Sequence, residues 1–495
     1  MSTATPRRSR AWPAALSLVL AAAAVLWTAR PSQANDDGAE AQTVAAVDEV
    51  LSDPDLPTAF WGLLVQDART GRVVLSRNAG KNMLPASTLK LLTTAAALDA
   101  LGPTFRYTTR LYDLGQTGPD GTFRGDLVVR GSGDPTLGSE GAGDPFQAWA
   151  EALAAAGVRR VEGRIVGDDD AFEDARYGEG WDVTHIATES YAPAAGGLAW
   201  GDNLVSIQIR AGAVGQRPSF ESDPSGFATV AGDPTTRSGG GRLDVERTLG
   251  TDTFVLRGGV PAGYRGALRV PVANPTLYAV HAFAQALEEA GVDVSRAERV
   301  DVDDTDRKPS YDGVQPLRAY VSPTLDRIVE RVNRESDNLY AEQVFRALGG
   351  GTVERAADRV EAFVERAGAD AEGLSIVDGS GLSRKDLVTP SALAAVLRTM
   401  RTHPAGGAFV RSLPEGGGDG STLRNRLGGV PVRAKTGSLM AVRCLAGYVD
   451  GPGGTPYVFV LMANNYTTGG GRIAAAQDAI VRAIAAGGRV PVDEE

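Results

Sequence analysis

Ser87-Thr88-Leu89-Lys90-Leu91-Leu92-Thr93-Thr94-Ala95-Ala96-Ala97-Leu98 opens a helix with a hydroxyl and an amine three positions apart. That spacing puts both side chains on one helix face. Serine alone is a poor nucleophile, and a neutral amine beside it can take its proton. Lysine can lose its proton when desolvated, whereas arginine effectively cannot. Only five of the 50 basic residues are lysines: Lys81, Lys90, Lys308, Lys385 and Lys435. Of these, only Lys90 has a serine three residues before it. By itself the four-residue pattern is weak, because helix surfaces produce it without purpose.

Two further stretches complete a set. Ser336-Asp337-Asn338 offers a hydroxyl and a carboxamide two residues apart. The hydroxyl can relay a proton to a leaving amine and the amide can hold a substrate carbonyl. Lys435-Thr436-Gly437-Ser438 precedes an apolar strand. A glycine there lets a substrate backbone lie against the strand edge, and Lys435 is a cation suited to a carboxylate. The backbone N–H groups of Ser87 and Ser438 are candidates for an oxyanion hole. The order S-x-x-K, S-x-N, K-T-G, with two of five lysines at the two required places, is far more specific than any one part.

Around these motifs the chain reads as several units. Its 495 residues exceed one ordinary core. Trp61 to Val65 and Val73 to Ser76 read as a hairpin, followed by a helix from about Pro85 to Leu101 that Gly102-Pro103 stops. From about residue 110 to 315 short strands and Gly/Pro/Ser/Asp-rich connections dominate, interrupted by helices at Phe146 to Ala156 and Leu277 to Ala290. Asp168-Asp169-Asp170 reads there as a solvated turn at a strand end. From Ser322 helices return: Thr324 to Leu348 as one helix, then Thr352 to Ala367 and Pro390 to Arg401. Arg443 to Val449 and Tyr457 to Met462 are strands, and Arg472 to Ala486 a closing helix. Strands from both chain ends are therefore expected to share one sheet. The class is α+β and multi-domain: an antiparallel sheet flanked by helices over 35–111 and 316–495, with a mostly-β insertion over 112–315 that is expected to form two smaller β-rich domains. All three motifs lie outside that insertion, which is expected to shape substrate choice and stability and leave the chemistry elsewhere.

Composition narrows the classes. Hydrophobic content of 43% and charged content of 22% suit a globular protein. Residues 1–34 carry four arginines and no acid, an uncharged run over 11–27, and a small-residue exit at Ser32-Gln33-Ala34. These are the parts of a secretory signal peptide, and the expected location is periplasmic or otherwise outside the cytoplasm. An uncleaved leader would act as a membrane anchor. Without those four arginines the chain holds 46 basic against 61 acidic residues, a net charge of −15, which argues against nucleic acid. The one cysteine, Cys444, lies in an apolar stretch and reads as a buried small hydrophobe. His185, His281 and His403 form no ligand pattern, so no metal and no cofactor is expected. Nothing in the sequence sets an oligomeric state.

The motif set resembles that of serine β-lactamases and penicillin-binding proteins. The distance from Lys90 to Ser336, 246 positions, is similar to that of low-molecular-mass class C penicillin-binding proteins, which are D-alanyl-D-alanine carboxypeptidases and DD-endopeptidases with domains inserted at this place. The resemblance runs from about Trp61 to Ala486. It includes Arg130-Gly131-Ser132-Gly133-Asp134-Pro135, Asp378-Gly379-Ser380-Gly381-Leu382-Ser383-Arg384 and Ala434 through Val449. It implies a penicillin-binding-type catalytic domain that removes terminal D-alanine from peptidoglycan stem peptides, cleaves D-Ala cross-links, and is inhibited by β-lactam antibiotics. It implies Ser87 as acylated nucleophile, Lys90 as base, Ser336 and Asn338 as proton relay and substrate holder, and Lys435, Thr436, Gly437 and Ser438 as the carboxylate site. It places Arg384 near the stem-peptide side chain. Two positions depart from the family: Asp182-Val183-Thr184 follows Gly180-Trp181 where a Trp-Asp-Asp run is common, and Asp386 replaces an asparagine. The first leaves side-chain specificity toward diaminopimelate open. Two other readings compete. A β-lactamase would use an acid such as Glu372 to activate water, but Ile376 stands where that class has asparagine. A catalytically inactive penicillin sensor would not need Ser87, Lys90 and Lys435 intact.

Overall fold

A computed structural model of the chain describes residues 33–54, 56, 58–139 and 144–488. All but the last two residues of the expected leader lie outside the described residues. Among the described residues no helix is long and apolar enough to cross a membrane.

Strands from both ends of the chain do share one sheet. Its order is Val432–Leu439, Val442–Asp450, Pro456–Asn464, Phe60–Asp67, Val73–Arg77, antiparallel throughout. Strand residues alternate between two faces, and the sequence uses both. Trp61, Leu63, Val65, Phe459 and Leu461 face one way, onto Ile473, Ile480, Val481 and Ile484 of the closing helix Gly470–Ala486. Leu64, Ala446, Val458, Val460 and Met462 face the other way, onto a helical layer. The central helix of that layer, Leu89–Ala100, is buried on every side from Leu89 to Leu98. Each fully enclosed leucine there contributes roughly 2 kcal/mol. This burial fixes the helix whose first turn bears Lys90.

The single helix expected over 324–348 is two helices, Leu325–Arg334 and Asn338–Leu348. Both pack apolar faces into the same core, so the periodicity runs on while the backbone breaks. Ser336 takes φ +66° at the break. Asp337 then starts the second helix, its Oδ1 accepting the Tyr340 N–H at 3.1 Å. An aspartate prefers that capping position to a helix interior. The break is what exposes the serine of the second motif.

Three more sheets fold between residues 108 and 321. One has five strands, ordered Glu298–Asp301, Arg160–Asp168, Thr122–Arg130, Thr108–Thr117, Arg318–Val321, so the chain returns beside the strand on which it left. Helices Pro145–Ala155 and Pro275–Glu289 cover it. A three-stranded and a four-stranded sheet lie further along.

The acidic run at the end of Arg160–Asp168 is not a solvated turn. Asp168 and Asp169 are buried. Asp168 accepts the Tyr311 hydroxyl and pairs with Arg130 at 3.3 Å. Asp169 accepts the Thr276 hydroxyl at 2.5 Å. Burial, with Asp301 and Asp303 adding to it, pushes its carboxyl up to about 7. Arg176 and Asn274 serve Asp301, and Lys308 serves Asp170 and Asp303. The run turns inward because these donors come from the adjacent strand, from segments more than a hundred residues away or from the following loop, which local pattern does not reveal.

Candidate active site

Ser87 sits in a single 3-10 turn, Ala86–Thr88, that leads into the helix Leu89–Ala100. Ala86 has φ +46°, an uncommon conformation for a residue with a side chain. The turn and the Gly381 loop interlock: a Cβ on Gly381 would come 1.9 Å from the Ala86 carbonyl oxygen.

Lys90 is fully buried one turn on. Its Nζ donates to Ser87 Oγ at 3.0 Å, to Asn338 Oδ1 at 2.6 Å and to the Ser380 carbonyl at 2.6 Å. Burial pushes the amine down to about 8, against the opposing attraction of Asp378, Glu342, Asp337 and Asp386. Desolvation disfavours the charged form of an amine, so a group that is normally an acid could serve here as a base.

Lys435 is also fully buried. Its Nζ donates to Ser336 Oγ at 2.8 Å and to the Thr436 carbonyl at 2.9 Å. Burial first, and the nearby Lys90 ammonium second, hold it well below the usual lysine range. Two serine–lysine pairs therefore face each other, and the motifs separated by hundreds of residues meet in one place. Asn338 is held from its other end, Nδ2 donating to the Tyr191 carbonyl at 2.7 Å. A cleft of about 270 Å³ lined by Tyr191, Arg331, Ser336 and Asn338 opens beside it.

The strand Val432–Leu439 is the sheet edge; Glu415 bridges Arg433 on its outer side, and past that bridge no described strand pairs with Thr436 to Ser438 there. Thr436 is half-buried and Ser438 exposed on that edge. Gly437 lies against the nucleophile turn: an added Cβ would meet Pro85 O at 2.7 Å, Thr88 N at 3.0 Å and Ser87 N at 3.1 Å. All three are backbone atoms and cannot swing away. Gly437→Ala is expected to cost about 1–3 kcal/mol of stability, the usual effect of overpacking, and to slow acylation by penicillin further than that loss explains. Gly428→Ala, where nothing lies within 4 Å, is the control; equal acylation rates for the two variants would refute the close approach.

Arg384 is exposed on the rim, its Nη1 donating to the Met440 carbonyl at 3.0 Å just past Ser438. It is not among the groups that touch Ser87 or Lys90. Glu372 is exposed on a turn and takes no part in their hydrogen bonds. Cys444 is buried, its thiol pushed up to about 12 by that burial.

Several participants escaped the sequence reading. Ser380 acts through its carbonyl, which no side-chain motif encodes. Asp378 hangs the loop, accepting the N–H groups of Ser380, Gly381 and Ser383 at 2.6 to 3.0 Å and Trp181 Nε1 at 2.8 Å. Asp386 is buried against it, taking the Val377 N–H at 2.9 Å; burial, then Asp378, raises its carboxyl well above the usual range. Tyr191 and Trp181 belong to 112–315, so that segment does support the site from behind.

Comparison with known proteins gives the chain a family. Residues 43–486 match the model of the D-Ala-D-Ala carboxypeptidase 3 (S13) family. A D-alanyl-D-alanine carboxypeptidase of Actinomadura sp. is 32% identical, with 91% of this chain and 86% of that protein aligned. D-alanyl-D-alanine carboxypeptidase DacB of Haemophilus influenzae is 27% identical over 82% of this chain and 86% of its own. The crystal structure of penicillin-binding protein 4 (dacB) from Haemophilus influenzae superposes with a TM-score of 0.73 at 25% identity, covering 86% of this chain and 94% of that one.

Proposed function

The chain belongs to the D-Ala-D-Ala carboxypeptidase 3 (S13) family, and on that premise we propose that Ser87, Lys90, Ser336, Asn338 and Lys435 carry out its serine-type hydrolysis. The observation that carries the assignment is the 3.0 Å contact from a buried lysine to the Ser87 hydroxyl. Neutral Lys90 accepts the Ser87 proton as Oγ attacks the carbonyl of the penultimate D-alanine of a peptidoglycan stem peptide. The tetrahedral oxyanion is met by the N–H groups of Ser87 and Ser438. The C–N bond then breaks, and the departing D-alanine amine takes the hydroxyl proton of Ser336, which Lys435 replaces. Water attacks the acyl-serine by the reverse proton path and frees the shortened peptide. Asn338 holds the substrate amide, while Thr436 and Ser438 on the open strand edge, with Lys435 behind them, receive the terminal carboxylate. Arg384 borders the stem-peptide side chain. A β-lactam follows the first half of this path, but its leaving nitrogen stays tethered and the acyl-enzyme persists.

Residues 35–111 and 316–495 form the catalytic domain, and 112–315 is an insertion governing substrate choice. The leader at 1–34 exports the protein, which works on the cell wall outside the cytoplasm.

Incubation with penicillin is expected to add one mass of the antibiotic, and peptide mapping to place it on Ser87. Incubation with a pentapeptide ending in D-Ala-D-Ala should release free D-alanine. An adduct on any other residue, or none, overturns the assignment.

A further inference from the structure

The helix Asn338–Leu348 presents Asn338, Glu342 and Arg346 four residues apart, hence along one face. Glu342 and Arg346 are enclosed, at 1% and 0% exposure. Asn338 Oδ1 reaches Lys90 directly. One turn on, Glu342 Oε1 accepts the Gly379 N–H at 2.8 Å. The carbonyl of the next residue, Ser380, is a second acceptor of Lys90. Thr93 of the nucleophile helix holds the same residue from the opposite side, its hydroxyl donating to Gly379 O at 2.8 Å. The Ser380 side chain lies beside the Glu342 carboxyl, but Oε2 accepts no well-aligned hydrogen bond, and none of the Arg346 guanidinium nitrogens finds a hydrogen-bond acceptor. A buried carboxylate and guanidinium so poorly satisfied cost more than an apolar pair of the same size would. Their place under the Lys90 loop accounts for that cost.

We propose that Glu342 is a positioning residue for the base: through Gly379 it fixes the Ser380 carbonyl that, together with Asn338, aims Lys90 at the Ser87 hydroxyl. Its carboxylate also faces the ammonium. Asp378, Asp386 and Asp337 attract that ammonium too, the ammonium in turn lowers the neighbouring Lys435, and Arg346 sits one turn beyond Glu342. Burial, then Asp378, pushes the Glu342 carboxyl up to about 7 against the pull of Arg346.

The inference rests on Lys90 as the base, and the wild type separates the two ideas: without a penicillin adduct on Ser87, the base assignment itself falls. Penicillin acylation and D-alanine release are then followed against pH for Glu342→Ala, Glu342→Gln and Glu342→Gln/Arg346→Met. Glutamine keeps an acceptor for Gly379 and alanine does not. Glu342→Ala should lose about tenfold or more in acylation rate and in kcat, with KM nearly unchanged. Glu342→Gln should recover most of that rate, with its rising limb moved to lower pH because one charge favouring the ammonium is gone. The double variant leaves no buried charge alone; it should behave like Glu342→Gln and stands in for it if that protein does not fold. If all variants keep the wild-type limb, or if Glu342→Ala acylates as fast as wild type per folded molecule, Glu342 only supports the loop and the inference is wrong.

Discussion

Ser87→Ala is expected to lower kcat/KM for D-alanine release by roughly 10⁴-fold or more, the scale seen when a catalytic serine is removed from an enzyme that proceeds through an acyl intermediate. No other described hydroxyl is placed to replace it. Ser336 Oγ meets Lys435, not Lys90, and its φ of +66° fixes it on the far wall of the site. Ser87 is half-buried and its side chain serves no structural bond apart from Lys90. The variant should therefore fold, with Tm within a few degrees of wild type, since one exposed-side hydrogen bond is worth only about 1 kcal/mol. It should also still bind the peptide, because the Lys435 strand edge and Asn338 are intact. Rate by single-turnover kinetics and affinity by equilibrium binding check the two halves. A loss of binding equal to the loss of rate would mean that Ser87 positions substrate and does not attack it.

That expectation comes from a four-residue stretch, and the reason it was legible is physical. A nucleophile and its base at i and i+3 are a local feature, and helix geometry alone makes them neighbours. The sheet was legible for a similar reason. Phe60–Asp67 and Pro456–Asn464 write their two faces into alternate residues. What failed to show is what depends on distant chain. Lys90 meets the Ser380 carbonyl across 290 positions, and a carbonyl looks the same in every residue. The break at Ser336 hid behind an apolar period that continues because both helices share one core. Asp168 and Asp169 looked solvated because Tyr311, Thr276 and Arg130 arrive from a distant loop, a helix and another strand. Motifs report the groups that react. They are silent on the buried acids, Asp378, Glu342 and Asp386, that set the environment of those groups.

That environment yields the second large effect. Lys90 must be neutral to accept the Ser87 proton, and burial brings it down to about 8. At pH 7 about a tenth of such a group is neutral, against a few in ten thousand for an ordinary lysine of pKa ~10.4. The sign follows: acylation by penicillin should rise with pH, tenfold per unit, and level off above about 8. Lys90→Met should flatten that rise and lower the plateau by about 10²–10⁴-fold, the usual worth of a positioned base. Lys90→Arg should do no better, because a guanidinium keeps its proton over this whole range. Lys435 is the competing source of the limb, since it too is buried and the Lys90 ammonium lowers it further. Two groups coupled in this way share their apparent pKa values. If Lys90 is the base, Lys435→Ala should leave the limb in place and preserve its slope. If Lys435→Ala abolishes the limb and Lys90→Met keeps it, the two lysines have exchanged roles. Ser336 would then be the group deprotonated first, and the 3.0 Å contact between Lys90 and Ser87 would only orient the nucleophile.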